Sequence, residues 1–181
     1  MPIIITFFPH GATADNEKGI LSGWSDTPLS EKGKQQALEL KERIKNRQFD
    51  VVFCSDLKRA SETAKLCFPD GTPIVEDSRL RECNYGKFNG APSATIEPLQ
   101  EQHIKERFDG GECYEDVRGR IFGFLEFLKQ NNENGSVAIV SHKAPQLILD
   151  VLLKGKTWEQ AFAEDWRKHG AWQPGWEYIL E

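Results

Sequence analysis

The sequence predicts an α/β fold: a three-layer sandwich with a mainly parallel central sheet and helices on both faces. Three observations lead there. Residues 3–8, 49–54 and 137–140 are short runs, nearly continuous in apolar, β-branched and aromatic side chains, the pattern of strands buried on both faces. Segments with helical spacing separate them, and strands alternating with helices imply parallel pairing. Each run also leads into residues able to do chemistry: His10 after the first, Ser55 and then Arg59 after the second, Ser141 and His142 after the third. In open α/β sheets, ligands bind beyond the carboxyl ends of the strands.

In order along the chain, strand 3–8 stops at Pro9, which has no N–H for a sheet ladder. Residues 12–29 carry Gly19, Gly23, Pro28, Asn16 and Asp26 and read as a loop, long enough to suggest function. Ser30 caps a helix running to about residue 46, with Ala37, Leu40 and Ile44 on one face. Strand 49–54 ends at Ser55, the expected N-cap of helix 56–68, whose first turn holds Arg59. A turn at 69–73 leads to a short strand at 74–76. Residues 80–92 are irregular. Residues 93–107 read as a helix with a weak apolar stripe, broken by Asp109-Gly110-Gly111.

Helix 112–130 presents Val117, Ile121, Phe124, Leu125 and Leu128 as one stripe. A turn at 131–135 precedes strand 137–140. Pro145 suits the first turn of a helix reaching residue 153. Thr157 and Gln160 make a capping box that opens one more helix, and the tail 172–180 reads as an edge strand. Trp158, Trp166, Trp172 and Trp176 crowd this end of the chain. The preferred reading packs them around the final helix and tail; the alternative is an aromatic wall over a ligand pocket.

Composition narrows the function. A chain of 181 residues suits one domain over 1–181, and 39% hydrophobic with 28% charged residues is the balance of a globule with a sizeable core. A net charge of −5 without a basic block argues against nucleic acid. No apolar run approaches the roughly 20 residues of a membrane span, and the N-terminus has no signal-peptide pattern. Cysteines 54, 67, 83 and 113 form no Cys-x-x-Cys pair, so no metal site is expected; reduced thiols in a cytoplasm are the simpler reading. What remains is a constellation at one sheet edge: His10, Arg59 and His142, with the carboxylate of Glu82 in a segment able to fold over them.

The motifs around these residues are similar to those of the histidine phosphatase superfamily, the phosphoglycerate mutase-like proteins. That family opens with Arg-His-Gly-Glu-Thr, where this chain has Pro9-His10-Gly11-Ala12-Thr13, followed by Asn16, Gly19 and Ser22-Gly23. Asp26-Thr27-Pro28-Leu29-Ser30 and Gly33-Lys34-Gln35-Gln36-Ala37 continue the match. The second motif stands as Ser55-Asp56-Leu57-Lys58-Arg59-Ala60, running on to Glu62-Thr63-Ala64. Leu80-Arg81-Glu82 carries the acid, Gly111-Glu112-Cys113 replaces Gly-Glu-Ser, and Val140-Ser141-His142 is the last motif.

The resemblance implies a phosphoglycerate mutase-like fold of the small phosphatase branch. It implies a phosphomonoester hydrolase acting on a small phosphorylated metabolite, with no metal and no cofactor. His10 is then the nucleophile that forms a phosphohistidine. Arg59 and His142 hold the phosphoryl oxygens, and Asn16 and the backbone N–H of Gly23 add hydrogen bonds. Glu82 protonates the leaving oxygen and then takes a proton from water. Four departures stand out: Pro9 for Arg, Ala12 for Glu, Ser22 for Gln, and Lys143 for Gly. Pro9 removes a bidentate phosphate ligand, which points to reduced activity and makes Lys143 the sequence's candidate for the missing charge. The competing readings are a weak or inactive pseudo-phosphatase that holds a phosphorylated ligand, its Pro9 natural or engineered, and a phosphoglycerate mutase.

Overall fold

The computed structural model describes residues 2–68, 70–131 and 135–181. The turns expected at 69–73 and 131–135 therefore lie partly outside the described residues. Strands β1 (Ile3–Pro9), β2 (Val51–Cys54), β3 (Ile74–Glu76) and β4 (Ser136–Ser141) are parallel. With β5 (Trp176–Leu180) antiparallel to β1, they form one sheet in the order β3-β2-β4-β1-β5. The helices are α1 (Ala14–Glu17), α2 (Glu31–Ile44), α3 (Lys58–Cys67), α4 (Tyr114–Asn131), α5 (Lys143–Lys154), α6 (Trp158–Ala163) and α7 (Trp166–His169).

The three layers follow from alternation along the strands. Ile5 and Phe7 of β1, with Val137 and Ile139 of β4, face α4 and α5 and join Val117, Ile121, Phe124, Leu147 and Ile148 in the larger core. Phe8, Val52, Cys54, Ala138 and Val140 face the other way, onto Ala37, Leu40 and Ile44 of α2 and Ala60 and Ala64 of α3. Both faces of the central strands are covered, except at the start of β1 where Ile4 is 49% exposed, which is why those runs are nearly continuously apolar. The tail forms the expected edge strand, but only from Trp176.

Pro9 belongs to β1 as its last residue. His10 N–H donates to the Ser141 carbonyl at 3.1 Å, so in the alternating ladder Pro9 turns its nitrogen towards β5, whose pairing with β1 ends at Phe7 and Trp176. The missing donor therefore interrupts no sheet bond.

Several elements depart from the sequence reading. Strand 49–54 begins two residues late, because Phe49 packs edge-on against Phe8 and Phe68, with ring centroids 5.8 and 5.6 Å away, instead of extending β2. The expected helix 56–68 begins at Lys58, and Ser55 is not its cap. Ser55 Oγ accepts from Leu57 N–H at 3.2 Å, while Lys58 N–H is taken at 2.7 Å by Asp26 Oδ1 from the preceding loop. Loop 12–29 contains α1, closed by a capping box in which Thr13 and Asn16 bond each other's backbone N–H. The helix expected over 93–107 is three separate 3₁₀ turns. Pro98 removes a helical N–H from its middle. No helix among the described residues is long and apolar enough to cross a membrane.

Candidate active site

The carboxyl ends of β2, β4 and β1 open into a cavity of about 640 Å³. Strand order places its two imidazoles side by side: β1 and β4 are neighbours in a register that pairs Pro9 with Ser141, so His10 and His142 leave the sheet together. Their ring centroids are 4.9 Å apart. Gly11 keeps the His10 loop against α2. A Cβ on Gly11 would stand 2.5 Å from the Gly33 carbonyl, and one on Gly33 would run into the carbonyl of Ala12. Thr63 Oγ1 takes the Gly11 N–H at 3.0 Å and donates to the Arg59 carbonyl at 2.7 Å, tying that loop to α3.

The tautomer of His10 can be derived. Nδ1 lies 2.6 Å from the carbonyl oxygen of Gly11, which only accepts, so Nδ1 carries the proton and Nε2 carries the free lone pair. Burial, then the charge of Arg59, pushes the His10 pKa from 6.5 down to about 3, and Arg167 contributes in the same direction. His142 is pushed well below its ordinary value, chiefly by burial and then by Arg59. Both rings are neutral near pH 7. The His142 ring is buried, and neither of its nitrogens has a hydrogen-bond partner among the described residues. Two orphaned polar atoms in a buried side chain call for a ligand.

Arg59 enters from α3 and is 2% exposed. Its Nη2 donates to the Gly23 carbonyl at 2.7 Å and its Nη1 to the Ser25 carbonyl at 3.0 Å. A guanidinium has five N–H groups, so three remain for a ligand. Gly23, at φ +53° and crowded by Asn89, lines the cavity as expected. Asn16 also lines it, but its Oδ1 is committed to the Thr13 N–H, which leaves its NH₂ as the available donor. Lys143 is on the wall beside His142, with Nζ 3.3 Å from Asp165 Oδ2.

Glu82 arrives from outside the sheet and is fixed in three ways. Its Oε1 accepts from Cys83 N–H at 2.8 Å and Ala144 N–H at 3.1 Å, while Oε2, among the described residues, accepts only from Lys143 N–H at 3.2 Å. The carboxylate thus sits on the first N–H groups of α5, where a helix favours negative charge. Arg120 donates to the carbonyls of Arg79, Arg81 and Glu82 at 2.6–2.9 Å and pairs with Glu112. Ser141 Oγ donates to the Leu80 carbonyl at 2.6 Å, and Trp24 Nε1–H to that of Glu82 at 2.7 Å. Ser141 and Glu112, which the motifs mark without a role, are the staples of this segment.

All four expected residues, His10, Arg59, Glu82 and His142, line one cavity. The sequence reading missed Arg43, Arg167 and Asp165. Arg43 lies 5.2 Å from the Trp172 ring on the cavity wall, and no sequence pattern links α2 to the tail. The tryptophans divide between the two readings. Trp158 packs on Tyr114 and Phe162, and Trp176 stacks on Trp166 in the core, whereas Trp166 and Trp172 also line the cavity.

Fold and site together define an α/β protein whose pocket is built from two neutral imidazoles and a buried guanidinium. Residues 5–176 match the profile of the histidine phosphatase superfamily (branch 1), and the chain belongs to that superfamily. Phosphoserine phosphatase 1 of Hydrogenobacter thermophilus is 30% identical over 81% of this chain and 74% of its own. A probable phosphoglycerate mutase GpmB of Yersinia pestis is 36% identical over 74% of this chain and 66% of its own, slightly under two thirds of that relative's length. Among solved structures, a mycobacterial glucosyl-3-phosphoglycerate phosphatase in complex with VO3 superposes with a TM-score of 0.78 at 26% identity, covering 90% of this chain and 86% of that one. The relatives are phosphatases and mutases of small phosphorylated compounds, and the fold is that of the phosphoglycerate mutase-like histidine phosphatases.

Proposed function

We propose that the chain, acting as one domain, is a metal-independent phosphomonoester hydrolase that works through a phosphohistidine on His10. The observation that carries this reading is the pair of imidazoles. One presents a free Nε2 lone pair and the other two unpartnered nitrogens, 4.9 Å away between centroids and beside the guanidinium of Arg59. In the first step His10 Nε2 attacks phosphorus, the P–N bond forms and the ester P–O bond breaks. Glu82 gives its proton to the leaving oxygen. In the second step Glu82 takes a proton from water, the hydroxide attacks phosphorus, and His10 leaves with phosphate as product. Oε2 of Glu82 is the oxygen suited to carry the proton, since it accepts one N–H where Oε1 accepts two. Arg59 neutralises charge as it moves onto the phosphoryl oxygens, and the neutral His142 ring donates a hydrogen bond to one of them. Four unpaired buried cysteines fit a reducing compartment, the cytoplasm.

The test is brief mixing with a ³²P-labelled phosphate ester, followed by denaturation. Label that is acid-labile, alkali-stable and absent from His10→Ala supports the reading; label retained in His10→Ala removes His10 from the role. A chelator arm should leave turnover unchanged, because in this reading the protein itself supplies the positive charge through Arg59. Pro9 favours a second reading, a module that holds a phosphorylated ligand without turnover. Orthovanadate binding with no hydrolysis across an ester panel would select it, and label passing to phosphoglycerate instead of water would select a mutase.

A further inference from the structure

Beyond α5 the chain turns back over the cavity and places an ion cluster on its wall. Asp165, the N-cap of α7, is 4% exposed, yet two cations share it. Arg167 donates to Oδ1 from its backbone N–H and from Nη1, both at 3.1 Å, and Lys143 Nζ approaches Oδ2 at 3.3 Å. The Arg167 guanidinium also lies 4.5 Å from the Trp166 ring centroid. Trp166 is itself held by a 3.0 Å bond from its Nε1–H to Gln146 Oε1 and by stacking on Trp176. The arginine is therefore fixed by a carboxylate, a ring face and its own backbone. One carboxylate balances one of the two cations, so the cluster keeps a net positive charge on the wall that also holds His10, Arg59 and His142.

We infer that Arg167, positioned by Asp165, is the second phosphoryl-binding cation of this pocket, supplying from the tail the guanidinium that Pro9 cannot supply from β1. The inference rests on the phosphomonoesterase reading. Lys143 is the weaker candidate, as a point charge cannot make two parallel bonds to a phosphoryl group, whereas a guanidinium has the fork that matches one. Arg167 uses one Nη1–H on Asp165 and keeps four side-chain N–H groups. Its charge reaches both imidazoles, in the same sense as that of Arg59.

The experiment measures kcat/KM on an aryl phosphate and the Kd of orthovanadate for the parent and five variants, with Tm as the check on folding. The variants are Arg167→Gln, Arg167→Lys, Asp165→Asn, Arg167→Gln combined with Pro9→Arg, and the remote control Arg118→Gln. Loss of one preorganised donor predicts a fall of about 10²–10³ in kcat/KM for Arg167→Gln and weaker vanadate binding. Arg167→Lys, which keeps the charge and loses the fork, should lose more than tenfold at an unchanged Tm. Asp165→Asn should lose part of the rate, and Pro9→Arg should restore at least tenfold in the Arg167→Gln background, a rescue that a merely structural arginine would not show. Activity of both Arg167 variants within twofold of a parent that hydrolyses the ester overturns the assignment alone. Absence of both hydrolysis and vanadate binding in the parent overturns the phosphomonoesterase reading and this inference with it.

Discussion

Glu82→Gln separates proton transfer from architecture. The carboxylate accepts three backbone N–H groups, two on Oε1 and one on Oε2. A glutamine oxygen can keep the pair from Cys83 and Ala144, but its NH₂ then faces Lys143 N–H, donor against donor. Leaving that part-buried donor unpaired costs about 1–3 kcal/mol, which for a chain of this length lowers Tm by about 2–12 °C. The variant should still fold, because the segment is also held by Arg120, Ser141 and Trp24. Chemistry should suffer more selectively. A general acid contributes roughly 10²–10⁴ when the leaving oxygen is basic and little when it is not. Initial rates on a series from alkyl to nitrophenyl phosphates should therefore show a steeper dependence on leaving-group pKa in Glu82→Gln. The alkyl esters should lose about 10²–10⁴, and the most acidic phenol should lose less than tenfold. Parallel plots, with every ester slowed equally, would refute the proton-transfer role and leave Glu82 as a cap on α5.

The two histidines give a pH prediction. Both resist protonation when folded and take it up near pH 6.5 when unfolded, so the unfolded chain binds more protons below that pH. Stability should fall as pH drops from 6.5 towards 3, with buried His142 contributing up to about 1.4 kcal/mol per pH unit in that window. NMR of the ring resonances should be flat between pH 8 and 5; a midpoint near 6.5 for either ring would contradict the buried, neutral assignment. Gly33→Ala drives a methyl into the Ala12 carbonyl behind His10. Overpacking of this kind costs about 1–3 kcal/mol, and thermal melts together with kcat/KM should show both falling; an unchanged rate would mean the His10 loop moves aside freely.

Most of the sheet was legible because burial on both faces leaves an unbroken apolar run: Ile5, Phe7 and Phe8 cannot face water on either side, nor can Val137 to Val140. The same local logic identified the Ser30 cap of α2 and the capping box at Thr157. It also placed His10, Arg59 and His142, because a residue that follows a buried parallel strand must emerge at the carboxyl edge. Glu82 was legible through the motif alone, since its segment has no periodicity.

Tertiary structure decided what depends on groups far apart in the chain. The α3 N-terminus is capped by Asp26, 32 residues earlier, so a search for a neighbouring cap settles on Ser55. The segment 93–107 is three 3₁₀ turns although Ile96, Gln100 and His103 are buried at helical spacing: Ile96 and Gln100 line the pocket, and His103 stacks on Phe108 with ring centroids 3.8 Å apart. Neutrality of the two imidazoles arises from their burial first and from the charge of Arg59 second, and both depend on β1 and β4 being adjacent in the sheet. The cluster of Lys143, Asp165 and Arg167 exists because the tail folds back across α5. The sequence alone determines the layers and the edge at which His10, Arg59 and His142 gather, since those follow from local periodicity and from where buried strands end. Protonation, charge balance and the walls of the pocket come from folding, because Coulomb and desolvation effects depend on distance in space and not on distance along the chain.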